Sequence, residues 1–507
     1  MTNFLHANPY FETGDWLVII VYLVGIIGLG LWFGKDQKNT RDYFLGGKNI
    51  PWWGVSLSII ATETSALTFI GVPAVAYGTN LAFIQIIIGY VMARVILAVV
   101  LVPHYFKREI YSPYQLFANA FGPAARRTAA GFFLIAGTLA AGVRVYVTCI
   151  PIKLMLGTDK WIQGSDGILL AIVLFVGLSL IYTYVGGIKA VVWTDAVQFF
   201  LFMAGGIFTL LYIPQLFDGG FQEVFAKAAK GGKLEWFNPN FSLAMPYNLW
   251  MGIIGGTVHV MSSHGADQLL VQRVLTCKSV ADGRKALVLS AVIIFPLFVI
   301  FLLTGAMLWV YYQQFPLAIP IPETTAGVSK NDYVYPIFIL TAVPPIMKGL
   351  LIVAILSAAM SSVSSALSAL ASVSTMDVIQ GYRSVERSEE YFLKFSRRST
   401  VAWALGLVVV AHASREMPFV LNAAFALTGL TSGAMLGGLL CALVLKKGRA
   451  TPVIAGMLAA LAVMIAIQLK TTVAWPWFTL IGTVVTIAVA SLVRRFVGRA
   501  DFEESSA

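Results

Sequence analysis

The sequence predicts an all-α integral membrane protein of about thirteen transmembrane helices forming one domain over residues 1–507. Of its 507 residues 58% are hydrophobic and only 12% charged, and the mean hydropathy is +0.81, far from the balance of a soluble globular chain. Apolar runs long enough to cross a hydrocarbon core of roughly 30 Å recur from end to end, with no interval the size of a soluble domain between them. The net charge of +11 is distributed by topology. Threading the chain with its N-terminus outside places roughly two-thirds of the Lys and Arg on the cytoplasmic side, in segments such as "GKDQKNTRDYFLGGK", "KSVADGRK", "FSRRS", "LKKGRA" and "VRRFVGR". The basicity therefore orients the chain in the cytoplasmic membrane, with a cytoplasmic C-terminus, and gives no reason to invoke nucleic acid.

The expected helices, in order, cover about 16–34, 52–78, 82–104, 128–152, 163–184, 188–213, 248–272, 286–313, 337–376, 399–413, 417–445, 451–469 and 474–493. The first is kept and not cleaved, because the leader "MTNFLHANPYFETGD" carries no Lys or Arg. Two helices are interrupted. The second contains "GVSLSIIATETSALTFIGVPA" and the seventh "MGIIGGTVHVMSSHGADQ", each mixing Gly or Pro with hydroxyl residues near mid-span. Paired broken helices five apart point to an inverted-repeat transporter, whose freed carbonyls bind ion and solute at the midplane; small-residue packing is the plainer alternative for either helix alone. Between helices, Phe217–Asn248 reads as a small amphipathic external element and "IPIPETTAGVSKND" as an external loop. The segment "QGYRSVERSEEYFLKFSRRS" reads as a solvated cytoplasmic linker.

The ninth helix carries a stripe. At 100° per residue, Ser357, Ser361, Ser364, Ser365, Ser368 and Ser372 of "ILSAAMSSVSSALSALAS" share about a third of a turn, so something polar runs along that face or another helix packs closely there. Cys149, Cys277 and Cys441 are odd in number and lack metal-ligand spacing, so neither a disulfide framework nor a structural metal is expected. No nucleophile motif and no clustered His, Asp and Glu argue for an enzyme.

Four segments in order, "RDYFLGGKNIPWW", "GGIKAVVWTDAVQ", "DQLLVQRVLT" and "AAMSSVSSALSA", resemble landmarks of the sodium:solute symporter family, which includes bacterial sialic acid and proline transporters and animal sodium/glucose cotransporters. The resemblance covers nearly the whole chain. It implies a LeuT-like core of five-plus-five inverted repeats, the first over 52–213 and the second over 248–445, with one helix before (16–34) and two after (451–493). It also implies sodium as the coupling ion and symport of a small polar organic solute, a sugar, sialic acid or related organic acid. Proton coupling through Glu63, Asp195 or His264 is a rival within the fold, as is uptake of an amino acid or monocarboxylate. A transporter-like solute sensor is a rival from another class. The partners implied are the solute, sodium and the bilayer, with no obligate protein partner evident.

Matched motif to motif, the resemblance assigns the main sodium site to the carbonyls of Ala61, Thr64 and Ala358 and the hydroxyls of Ser361 and Ser362. A second sodium site, found in some members, would use Asp195 with Ser361, Ser364 and Ser365. Without a cation, Asp195 would sit at the cytoplasmic interface bonded to local backbone. For the solute, Arg144 matches the arginine that grips a carboxylate in the sialic acid branch, and Ser65, Thr68 and Phe83 match pocket positions. Gln85, Ser263 and His264 are further polar candidates. Glu63 departs from that branch, which has a neutral hydroxyl residue there. Pairing of Glu63 with Arg144 is the expected arrangement, because each buried charge gains from the other; binding of solute hydroxyls or an ammonium group by Glu63 is the alternative. His259 and His264 are read first as packed, hydrogen-bonded residues and only second as proton carriers.

Overall fold

The computed structural model describes every residue except 1–9, 35–36, 157–166, 246, 322, 324–329, 381–387, 415–419, 446 and 498–507. Most of the leader, the C-terminal tail, and parts of the external loop and of the charged linker therefore lie outside the described residues. Those described form helices and no strand: α1 (Thr13–Phe33), α2 (Trp52–Glu63), α3 (Ala66–Gly78), α4 (Ile84–Val100), α5 (Pro123–Leu156), α6 (Gly167–Gln215), α7 (Gly220–Lys230), α8 (Thr257–Gly265), α9 (Gln268–Leu275), α10 (Val280–Gln314), α11 (Val334–Ala342), α12 (Met347–Ser372), α13 (Glu389–Ala413), α14 (Val420–Leu445), α15 (Ala450–Lys470) and α16 (Phe478–Val497). Leu17, Val24, Val409, Val444 and Leu469 are exposed on the outside of the bundle, as a lipid-facing surface requires.

Among the described residues nine helices are long and apolar enough to span a membrane, or ten if the bent pair α2–α3 counts as one, against about thirteen expected. The differences have local causes. The expected helices 163–184 and 188–213 are joined in α6, which kinks at Gly187 (φ 53°, ψ −154°). A Cβ there would stand 2.5 Å from the Tyr43 carbonyl oxygen, so both the left-handed backbone and the close approach require glycine. The expected helix 337–376 is two: α11 ends before Pro344–Pro345, and α12 begins at Met347 after Ile346 (φ 70°). The helix expected from 399 starts ten residues earlier. Ser388 caps it by accepting from the Tyr391 amide (3.3 Å), so the end of the charged linker is ordered helix and not a solvated connection. Glu389 then accepts from the Thr40 hydroxyl at 2.9 Å, docking α13 on the segment Thr40–Leu45.

The break between α2 and α3 is encoded locally. Thr64 and Ser65 are extended (ψ 103° and 178°), and the Ser65 hydroxyl accepts from the Leu67 amide (3.2 Å) while Thr68 Oγ1 accepts from the Ser65 amide (3.3 Å), a capping box that restarts the helix after a 60° bend. The seventh segment opens with a π-helical turn, Met251–Gly256, continues as α8 and breaks at Ala266–Asp267, nearer its end than mid-span. The π turn lies against α4 backbone to backbone, since a Cβ on Gly89 would fall 2.1 Å from the Gly252 carbonyl oxygen.

α12 is the centre of the bundle, packed along α6 and against α1, α2 and α9. Without a hydrophobic drive between helices in lipid, tight packing and cross-helix hydrogen bonds hold such a centre. At the Thr13 end of α1, an aromatic cluster packs α3, α6, α10 and α11: Phe69 stacks on Tyr335 (5.1 Å between centroids) and meets Phe301 (5.0 Å), which meets Phe202 (4.7 Å). At the same end the buried Asp15 carboxylate accepts from the backbone amides of Ile346 (2.8 Å) and Gly349 (2.9 Å), capping α12 from a neighbouring helix. At the opposite end Arg126 Nε bonds Asp377 Oδ1 at 2.7 Å, joining α5 to the π-helical extension of α12, Val373–Ile379.

Candidate solute and sodium site

The serine stripe of α12 faces the breaks. The Ser361 hydroxyl donates to the carbonyl of Ala61 (2.7 Å), two residues before the end of α2, and lies 3.0 Å from the carbonyl of Ala358 in its own helix. The Ser362 hydroxyl reaches the same Ala358 carbonyl at 3.2 Å. Four of the five expected sodium ligands are thus gathered where α2 ends. Thr64 completes the set in sequence; its hydroxyl turns back to Ile60 (2.6 Å), while its carbonyl belongs to the extended break. The donors are uncharged oxygens, which suit a hard monovalent cation without burying a carboxylate. Ser362 is the half-buried member and lines the adjoining cavity.

Further along the stripe the partners come from α9. Arg273 donates through Nη2 to Ser365, Gln272 Nε2 to Ser368 (3.2 Å), and Gln268 Nε2 to Ser372 (3.2 Å). Arg273 also reaches α6, with Nη2 3.2 Å from Asp195 Oδ2, and α2, with Nε 2.9 Å from the Ser58 hydroxyl. Asp195 is fully buried and accepts from Ser58 at 2.6 Å. Its partners are cross-helix side chains, so it does not bond local backbone at an interface. Its Oδ1 is buried without a hydrogen-bond partner among the described residues. Ser364 turns to the Ser361 carbonyl (3.1 Å), and Ser365 to the same carbonyl (2.5 Å) and to Thr62 (3.2 Å). Asp195 and Ser365 therefore meet around the Arg273 guanidinium.

Two adjoining cavities, enclosing about 930 Å³ and 1140 Å³ to their open mouths, share Thr62, Ser65, Arg144, Ser263, Asp267 and Thr428. The larger adds Glu63, Thr68 and Phe83. Six of the eight expected solute residues line this space; Gln85 and His264 do not. Gln85 is fully buried and instead holds the segment before α8, donating to the Tyr247 carbonyl (3.0 Å) and accepting from the Asn238 amide (3.1 Å).

The expected Glu63–Arg144 pair is not formed. Glu63 Oε2 is bonded by Arg94 of α4, whose Nη2 also lies 3.2 Å from His264 Nε2, and His264 Nε2 is 3.7 Å from the same carboxylate. Arg94 is fully buried, and among the described residues Glu63 is the one carboxylate within salt-bridge distance of it, which decides the pairing. A helix rise of about 1.5 Å per residue places Glu63 and Arg94 roughly halfway along opposed helices, the one sequence signal that could have matched them. Arg144 stays at the cavity wall. Among the described residues no carboxylate lies within salt-bridge distance of it; the charge facing it is Asp267, which lines both cavities and caps α9 by accepting from the Leu269 amide (2.8 Å).

The model of the sodium:solute symporter family matches residues 43–474. The chain belongs to the sodium:solute symporter family. Among relatives of this symporter, the sodium/sialic acid symporter of Proteus mirabilis is 27% identical over 94% of this chain and 94% of its own. The human sodium/iodide cotransporter is 27% identical over 92% of this chain and 71% of its own. A solved sodium-coupled sialic acid symporter, in a substrate-bound outward-open state described as revealing a novel sodium site, superposes with a TM-score of 0.84 at 26% identity, covering 95% of this chain and 97% of that one. The LeuT-like fold follows, and with the family comes a multi-pass membrane symporter that uses sodium as coupling ion and moves a small solute.

Proposed function

We propose that this symporter imports a small organic acid with polar substituents, a sialic acid or close chemical kin, by sodium-driven alternating access across the cytoplasmic membrane. The observation that carries this reading is the charge assignment at the cavity. Arg94 takes Glu63, so the Arg144 guanidinium remains at the wall of both cavities to grip a carboxylate through two N–H donors. The two relatives described above are named for sialic acid and iodide, both anions, which agrees with a cationic solute contact, whereas another relative of 27% identity is named for glucose, a neutral sugar. In this reading the carbonyls of Ala61, Thr64 and Ala358 and the hydroxyls of Ser361 and Ser362 hold the main sodium ion. Ser362 and Thr62 bring that site to the edge of the solute cavity.

A second sodium ion would use the unpartnered Oδ1 of Asp195 with Ser364 and Ser365, sharing the carboxylate with Arg273. The repeats would run 52–213 and 248–445, flanked by α1 and by α15–α16, with the N-terminus outside and the C-terminus in the cytoplasm, as the Lys and Arg bias favours.

The test is a thermal-shift panel on purified protein with sialic acids, neutral sugars, amino acids and monocarboxylates, each with and without sodium, followed by uptake in proteoliposomes. Stabilisation by an acidic sugar that deepens with sodium, and disappears in Arg144→Gln, is the expected result. Binding confined to neutral sugars, or uptake driven by a pH gradient and indifferent to sodium, would overturn the reading.

A further inference from the structure

We propose that Glu63, Arg94, His264 and Ser263 form one hydrogen-bonded unit that recognises a hydroxyl group on the solute, so that the transported acid must carry a hydroxyl group as well as its carboxylate. The inference rests on Arg144 holding the carboxylate, and it adds what Glu63 and Ser263, lining the same cavity, select. Both ends of the unit, Glu63 and Ser263, line the larger cavity, whereas its middle, Arg94 and His264, is buried behind that wall.

Proton placement along the unit follows from donor chemistry. A guanidinium can only donate, so His264 Nε2, 3.2 Å from Arg94 Nη2, must accept. His264 is then neutral with its proton on Nδ1, and that N–H donates to the Ser263 hydroxyl at 3.0 Å. With one lone pair of its oxygen taken, Ser263 keeps its own hydroxyl proton, whose only acceptor among the described residues is the Val260 carbonyl at a long 3.4 Å. At the other end Arg94 engages Glu63 through Oε2 alone, and no hydrogen bond of the described residues uses Oε1. The wall thus offers one strong acceptor and one available donor.

The charge balance narrows what fits. Glu63 and Arg94 cancel and His264 is neutral, so no net negative charge is left to hold an ammonium group. An ammonium also has no lone pair for Ser263. A hydroxyl donates to Glu63 and accepts from Ser263 with nothing wasted, and neighbouring hydroxyls of a polyol can divide the two tasks. An apolar chain would strand both groups, and an inorganic anion would meet a carboxylate oxygen. The chemistry selects a polyhydroxylated carboxylic acid over an amino acid, a plain monocarboxylate or a halide.

The test compares sodium-dependent binding of sialic acid with that of hexanoate, which keeps a carboxylate and lacks the hydroxyls. The proteins are the wild type, Ser263→Ala, Arg144→Gln and the double variant Glu63→Gln/Arg94→Gln, which keeps the charge balance so that no buried ion is stranded. In the wild type sialic acid should bind at least about tenfold more tightly than hexanoate, the scale of a hydrogen bond to a charged group. The double variant should bring the two within about threefold, and Ser263→Ala should fall between. Hexanoate binding as well as sialic acid in the wild type, or an undiminished preference in the double variant, overturns the proposal. If Arg144→Gln leaves acid binding intact while the double variant still removes the hydroxyl preference, the carboxylate reading fails and the hydroxyl subsite stands. Failure of both acids to bind overturns both.

Discussion

Arg273 Nη2 lies 3.2 Å from Asp195 Oδ2, with both side chains fully out of solvent, and joins the seventh segment to α6 beside the proposed sodium sites. Removing one member of such a pair strands a buried charge, so Asp195→Asn and Arg273→Gln should each cost about 3–5 kcal/mol, with the double variant losing clearly less than their sum. Denaturation of the purified protein measures this; additive losses would show the pair to be uncoupled. Since a second sodium ion would share the same carboxylate, Asp195→Asn should also flatten the sodium dependence of uptake. A wild-type Hill coefficient of one would remove the second ion from the account.

Ser361 and Ser362 contribute the hydroxyls nearest the break in α2. Alanine at either position deletes one oxygen from a set of about five, and a contact to an ion is worth roughly 1.5–3 kcal/mol, so apparent sodium affinity should fall about 10- to 100-fold. Proteoliposome uptake against sodium concentration is the measurement. Unchanged half-saturation in both variants would place the ion elsewhere.

Glu63 should be coupled to Arg94 and not to Arg144. A stability cycle over Glu63→Gln and Arg94→Gln should show an interaction of about 2 kcal/mol or more, and the cycle over Glu63→Gln and Arg144→Gln should be additive within about 0.5 kcal/mol. Coupling in the second cycle would restore the pair expected from sequence.

The contact between α4 and the π turn depends on glycine. Gly89→Ala places a methyl carbon 2.1 Å from the Gly252 carbonyl oxygen, a rigid backbone atom, and should cost roughly 1–3 kcal/mol. Thermal unfolding reads this directly, with Gly28→Ala, which meets nothing within 4 Å, as the control expected to stay near wild type.

Much of the fold was legible because its signals are local. The α2–α3 break is written in Thr64, Ser65 and Thr68, whose hydroxyls bond backbone within four residues, and the serine stripe needs only helical periodicity. The start of α13 was hidden because Glu389, Glu390, Lys394, Arg397 and Arg398 resemble solvated linker; only the cap at Ser388 distinguishes them. Pairing was the least legible part. Glu63 had two intramembrane arginines to choose from, and the choice depends on how α4 docks against α2, a relation spread over 31 positions of sequence. Gln85 was misread for a similar reason, since its partners Asn238 and Tyr247 arrive from a distant loop and use up its amide.

Alternating access needs a stationary frame against which other parts rock. Asp15 fastens the first turn of α12 to α1, and Lys348 Nζ adds a bond to the Tyr10 carbonyl at 2.6 Å, so a helix outside the expected repeats is riveted to the one bearing the serine stripe. Those two helices should travel as one body. A pair of spin labels, one at the head of α1 and one at the head of α12, should therefore report a single distance whether the transporter is empty, sodium-loaded or carrying its solute, a ruler against which the motion of every other helix can be scaled.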